Sequence, residues 1–224
     1  MGGSGRLPDV LYLHGFASSP GSAKARAFAE RLRPMGVRMV VPRLDGGDFA
    51  RMTLSRALAV AEAAASGLSR GYAVIGSSMG GYLALRHALG RPVSAVVAMA
   101  PALDFPSSWE RWMSPAELER WRETGWTELE HHETGRKERI AWDIVAESRQ
   151  HPAIEEAPSC PVLVFHGLRD DVVPCGLSER LAGASPHVRL RLLDDDHSLH
   201  ASLGAIVEES VEFLGGAGLT EAAP

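Results

Sequence analysis

The sequence predicts an α/β fold: a single, mostly parallel sheet of about six strands, helices on both faces, and one helical cap insert. Three observations carry this prediction. Short runs that are apolar throughout, such as VLYL at 10–13 and AVIG at 73–76, alternate with longer amphipathic stretches. The length of 224 residues, with 45% hydrophobic and 23% charged residues, suits one soluble globular domain over 1–224. The alternation breaks only once, over about 104–157, and then resumes.

Taken in order, DVLYLH (9–14) reads as a buried strand and AKARAFAERLRPMG (23–36) as a helix closed by Gly36. VRMVVP (37–42) is the next strand, and TLSRALAVAEAAASG (53–67) a helix closed by Gly67. YAVIGS (72–77) and MGGYLALRHALG (79–90) repeat the pair, followed by the strand VSAVVAMA (93–100). After the break come PVLVFHG (161–167), the helix GLSERLAGA (176–184), the strand VRLRLLD (188–194) and a last helix over 199–216. The tail GAGLTEAAP is expected to fray.

The interruption holds all five tryptophans, Trp109, Trp112, Trp121, Trp126 and Trp142, in a densely charged background. A βα connection usually takes about two to six residues, so this segment needs its own explanation. Two compatible roles are expected: a helical excursion fastened to the body by its indoles, and a cap over an acyl or aryl pocket.

The stretch GSSMGG (76–81) lies between a predicted strand and helix, at a carboxyl end, where open parallel sheets place their ligands. Read as G-x-S-x-G, it centres Ser78 between Gly76 and Gly80. A strand turning sharply into a helix strains the central residue and crowds the positions two away on either side, hence glycine at both. Ser77 would break that spacing. A serine hydroxyl needs a base, and the base needs an orienting acid. The strand 161–167 runs into a loop with Asp170 and Asp171, and the strand 188–194 into a loop with His197. His200 is placed at the start of the last helix. His14 stands at the end of the first strand, in the wrong chain order for a base, and reads as a loop-fastening side chain.

The order serine, aspartate, histidine, each on a loop leaving a strand's carboxyl end, is that of the α/β-hydrolases, which the chain resembles over nearly its whole length. LYLHGFASSPGSAKA with GSSMGGYLAL resembles the small bacterial esterases of the YqiA type. FHGLRDDVVP with DDDHSLH is similar to compact mitochondrial thioesterase and acyl-glucuronide esterase relatives. The resemblance implies carboxylic ester hydrolysis without metal or organic cofactor. It implies that the acid is the first aspartate of HG-x-x-D-x-V-V-P, here Asp170, leaving Asp171 to cap a turn or face water. It also implies an oxyanion hole made by the main-chain N–H groups of Phe16 and Met79. The chain departs from larger members by lacking a hairpin before DVLYLHG and by its tryptophan-rich insert.

The expected partner is therefore a small-molecule acyl ester or thioester. The net charge of -5 gives no reason to expect nucleic acid or an anionic membrane. No apolar stretch is long enough to span a bilayer, and the start MGGSGRLPDV has no signal-peptide pattern. Cys160 and Cys175 lack zinc spacing and suit a reducing, cytoplasmic compartment. HHE at 131–133 reads as solvated rather than metal-binding. Asp194, Asp195 and Asp196 run directly into His197. They are expected either to favour its imidazolium, raising the acidic limb of a pH–rate profile, or to cap the last helix.

Overall fold

The computed structural model describes residues 7–217; most of the tail expected to fray lies outside them. Strands β1 (Val10–Leu13), β2 (Met39–Val40), β3 (Ala73–Ser77) and β4 (Val96–Met99) occupy the first half of the chain. Between them run α1 (Ala23–Leu32), α2 (Leu54–Ala65) and α3 (Met79–Gly90). The insert contributes α4 (Trp109–Trp112), α5 (Pro115–Thr124), β5 (Trp126–His131), β6 (Arg136–Ala141) and α6 (Asp143–Ser148). The chain closes with β7 (Val162–Gly167), α7 (Gly176–Ala184), β8 (Val188–Leu193) and α8 (Leu203–Ala217).

Six strands form one sheet in the order β2-β1-β3-β4-β7-β8, every neighbouring pair parallel. Alternate side chains of β1 enter opposite faces: Leu11 and Leu13 join a core with Ala57, Tyr82 and Trp109, whereas Val10 and Tyr12 join one with Phe28, Ile206 and Leu214. Thus α1 and α8 cover one face, and α2, α3 and the insert cover the other. The strand order reverses between β1 and β3, where Leu13 pairs with Gly76. In sheets of this kind such a reversal leaves a crevice at the carboxyl ends of the two strands, where their loops part.

Several boundaries differ from the sequence reading. Pro34 converts the end of the first helix into a 3-10 turn over Arg33–Met35, after which Gly36 ends it at φ 71° as expected. The second strand is only two half-buried residues at the sheet edge. The second helix, read as 53–67, runs over Leu54–Ala65 with Thr53 as its cap, and the left-handed turn that follows it falls at Gly71 rather than Gly67. The last helix starts at Leu203 because the chain turns at Leu199, with φ 53°.

The larger correction concerns the insert, which is not wholly helical. Residues 126–141 form an antiparallel hairpin, β5 with β6, closed through Gly135 at φ 63°. Both its faces carry charge, so the period of two was hidden; only His131, Ile140 and Ala141 turn fully inward. His131 is 1% exposed, its ring edge-on to Phe49, while His132 and Glu133 face solvent, so only part of HHE is solvated. Among the described residues no group of side chains is arranged to hold a metal ion, and no helix is long and apolar enough to cross a membrane. Cys160 and Cys175 are free thiols.

Candidate active site

The turn from β3 into α3 is dictated by backbone contact. Ser78 sits at φ 55°, ψ −118°, a conformation that costs a non-glycine residue energy. A β-carbon on Gly76 would lie 2.1 Å from Gly80 O, and one on Gly80 would lie 2.0 Å from Leu13 O. A β-carbon on Gly81 would lie 2.8 Å from Pro101 Cβ. Glycine is thus the only residue that lets β1, β3 and α3 meet here. The Ser78 N–H continues the ladder to Met99 O at 2.9 Å, and its carbonyl accepts Gly81 N, Tyr82 N and Ala102 N at 2.9, 3.1 and 3.2 Å. With its backbone held on both sides, the Ser78 hydroxyl is left pointing into the crevice.

The structure brings Ser78, His197 and Asp170 into one hydrogen-bonded line. His197 Nε2 is 3.0 Å from Ser78 Oγ, and His197 Nδ1 is 2.8 Å from Asp170 Oδ2. A carboxylate only accepts, so Nδ1 carries the proton and the Nε2 lone pair faces the serine O–H. Asp170 Oδ1 accepts the N–H groups of Val172 and Val173 at 3.0 and 2.7 Å. Burial works against the charge on Asp170. Hydrogen bonds from His166, His197 and the Val173 N–H outweigh it and hold the carboxyl well below the usual carboxylate range. Ser77 is buried in β3, while Asp171 and His200 are exposed.

The loop after β1 lies against this line; a β-carbon on Gly15 would sit 3.6 Å from Ser78 Cβ. Neither the Phe16 nor the Met79 N–H is taken up by a turn, cap or side-chain acceptor among the described residues. His14 has the fastening role expected of it. Its Nδ1–H donates to Gly15 O at 2.9 Å, and its Nε2 accepts Leu44 N–H at 3.3 Å. Burial lowers its pKa, in keeping with a neutral ring. Among the described residues, four non-glycine residues have positive φ, Ala17, Ser78, Ala100 and Leu199, and they lie in the connections that follow β1, β3, β4 and β8. Strain is concentrated around the crevice.

The aspartate run is occupied by capping. Asp195 accepts Asp196 N and Ser202 N at 2.8 Å each, Asp196 accepts Ser198 N at 2.8 Å, and Asp194 pairs with Arg169.

Three features escaped the sequence reading. A β-carbon on Gly167 would lie 2.5 and 2.6 Å from Asp195 O and Asp196 O, so the glycine of FHG lets the histidine loop close on β7. The Trp112 indole donates to Val172 O at 3.0 Å. That carbonyl belongs to the same peptide unit as the Val173 N–H bound to Asp170, so the insert braces the 170–173 turn. The Phe16 ring packs edge-on to Trp109 at 5.6 Å and tilted against Phe49 and Phe105 at 5.7 and 6.1 Å. Only the glycine carried a signal in the sequence, through its place beside a strand end; the two indole contacts carried none.

Comparison with known proteins agrees with this architecture. The chain is 25% identical over 192 residues to the mitochondrial palmitoyl-protein thioesterase ABHD10 of Mus musculus, covering 80% of this chain and 64% of the relative. It therefore spans less than two thirds of that relative's length. The solved mouse alpha/beta hydrolase domain-containing protein 10 superposes with a TM-score of 0.79 at 23% identity, covering 95% of this chain and 91% of the other. A candidate hydrolase from Agrobacterium vitis S4 gives 0.78 at 25% identity, covering 93% and 88%. Est1E from Butyrivibrio proteoclasticus gives 0.74 at 22%, covering 96% and 90%. The fold is that of the α/β-hydrolases. Residues 9–213 match the description "Uncharacterised protein family (UPF0227)", and with nearly the whole chain matched, the protein belongs to that family.

Proposed function

We propose that this protein is a serine hydrolase that cleaves carboxylic esters through an acyl-enzyme on Ser78. The observation that carries the reading is the unbroken line from Ser78 Oγ through His197 to Asp170, with links of 3.0 and 2.8 Å. Ser78 attacks the acyl carbonyl while His197 Nε2 accepts its proton. Asp170 keeps the imidazole in the Nδ1–H tautomer and offsets the positive charge it gains. The main-chain N–H groups of Phe16 and Met79 stabilise the tetrahedral oxyanion; such a donor is typically worth about a hundredfold or more in turnover. The alcohol leaves with the proton from His197, and water then repeats the steps on the acyl-enzyme. Residues 104–157 act as a fixed wall of the same domain, tied to the acid loop by Trp112 and to the oxyanion loop by Trp109.

A thioester is the second reading, since ABHD10 is named as a palmitoyl-protein thioesterase and the oxyanion geometry is common to both acyl groups. Matched oxygen and thiol esters, assayed in parallel, separate the two. Wild-type protein is expected to react with a fluorophosphonate probe and to hydrolyse nitrophenyl esters. Ser78→Ala is expected to lose both, with turnover down by about 10⁴-fold or more and an unchanged circular dichroism spectrum. Turnover surviving in Ser78→Ala, or folded wild type refusing the probe, overturns the proposal, the latter in favour of a binding module on this fold.

A further inference from the structure

Behind Asp170 lies a second imidazole that the proposed chemistry does not use. His166, on β7, is fully buried, as is Ser178 on α7. Its Nδ1 is 2.8 Å from Ser178 Oγ. Its Nε2 is 2.8 Å from Val173 O and 3.2 Å from Asp170 Oδ2. Both neighbours of Nε2 are acceptors only, so that nitrogen must bear a proton; Nδ1 is then the acceptor of the Ser178 O–H. We infer that His166 is a positioning residue, held as the neutral Nε2–H tautomer by Ser178, which shares the Asp170 Oδ2 oxygen with His197 and locks the 170–173 turn. This rests on the reading of Asp170 as the orienting acid.

The physical consequence follows from counting acceptor sites. Oδ1 of Asp170 is filled by the Val172 and Val173 N–H groups, and Oδ2 faces two imidazole N–H groups. Every site on the carboxylate is directed, so the group cannot swing away from His197. The Nε2–H of His166 also draws on the charge of Oδ2 and so moderates its pull on an imidazolium at His197. Removing that N–H leaves the charge of Oδ2 to His197 alone, which favours the protonated ring and withdraws the base at higher pH. Other charged groups near this pair include Asp171, which is exposed, Asp195 and Asp196 on the histidine's own loop, Lys24 on α1, and the exposed Arg169–Asp194 pair. None of them is altered in the variants below.

The test compares His166→Met/Ser178→Ala, which removes the donor without orphaning the serine hydroxyl, with His166→Gln, which keeps an N–H near the position of Nε2. The double variant is expected to lose about tenfold in kcat at unchanged KM. Its acidic limb in kcat/KM is expected to move up by about half a pH unit. His166→Gln is expected to recover part of the kcat and return the limb toward wild type. An unmoved limb, or equal losses in the two variants, reduces His166 to a packing residue and overturns the inference. Imidazole ¹⁵N NMR on the wild-type protein tests the tautomer without any assay. A neutral Nε2–H signal for His166 supports it, and an Nδ1–H signal overturns it. Wild type that lacks ester turnover while giving the Nε2–H signal would instead count against the proposed hydrolase activity.

Discussion

At the elbow, residues 76–81, backbone touches backbone; at the insert, about 104–157, ring touches ring. The elbow has almost no side chain to lose. Its geometry follows from three glycines whose β-carbons would fall 2.0–2.8 Å from neighbouring atoms. The insert is joined to the crevice by a chain of edge-on aromatic pairs, Phe16 to Trp109, Trp109 to Trp121 and Trp121 to Trp142, each 5.5–5.6 Å between centroids. Its buried indoles find acceptors far along the chain, Trp109 on Ser148 Oγ and Trp121 on Ile140 O. Glu147 adds a polar link, accepting the Leu54 and Ser55 N–H groups at the start of α2. Two walls of one crevice are thus specified by different means: one by steric exclusion that admits only glycine at three positions, against Gly80, Leu13 and Pro101, the other by side-chain packing across the whole domain.

The largest loss is expected for Gly80→Ala. Its methyl would meet the Leu13 carbonyl, which is backbone and cannot rotate away. Urea unfolding is expected to reveal a loss on the order of 3 kcal/mol or more. A loss below about 1 kcal/mol would mean that the elbow is not set by this contact. Comparable in size is Trp109→Ala, which opens a cavity beneath Phe16 and removes the indole N–H that Ser148 Oγ accepts, while the Ser148 hydroxyl still donates to Val145 O; the expected cost is about 3–5 kcal/mol. Trp126→Ala removes a half-buried indole held by Arg139 over its ring, and about 1 kcal/mol or less is expected. Equal costs would show that the insert is not fastened through its buried indoles.

The smallest effect sharpens the account of the aspartate run. Hydrogen bonds from Ser198 hold the Asp196 carboxyl below its ordinary range, so it is charged throughout the neutral region. Negative charge beside His197 favours the imidazolium, and only the neutral ring accepts a proton. Asp196→Asn should therefore move the acidic limb of ester turnover downward, by about 0.3 pH unit at low salt, fading near 1 M salt. A limb that stays in place at low salt assigns the carboxylate to capping alone.

The alternation of apolar strands and amphipathic helices was legible because a parallel sheet covered on both faces leaves its strands little freedom of composition. Ser78, Asp170 and His197 were legible because each stands just beyond such a strand. The hairpin at 126–141 was not, because strands exposed on both faces carry no apolar stripe to reveal their period. Nor was the exact start of α8, which waits on the turn at Leu199.

Within reach of the sequence were the sheet's composition, the G-x-S-x-G spacing of the elbow and the order of the three polar residues, since periodicity and motif spacing are written along the chain. The fold in three dimensions adds that Asp170 faces two imidazoles, that Gly167 admits the loop of His197, and that Trp112 and Trp109 hold the loops of Val172 and Phe16. Apart from His166 and Asp170, which are four residues apart, these contacts join segments tens of residues apart, and which of them meet is set by the register of the sheet and the packing above it rather than by any local rule.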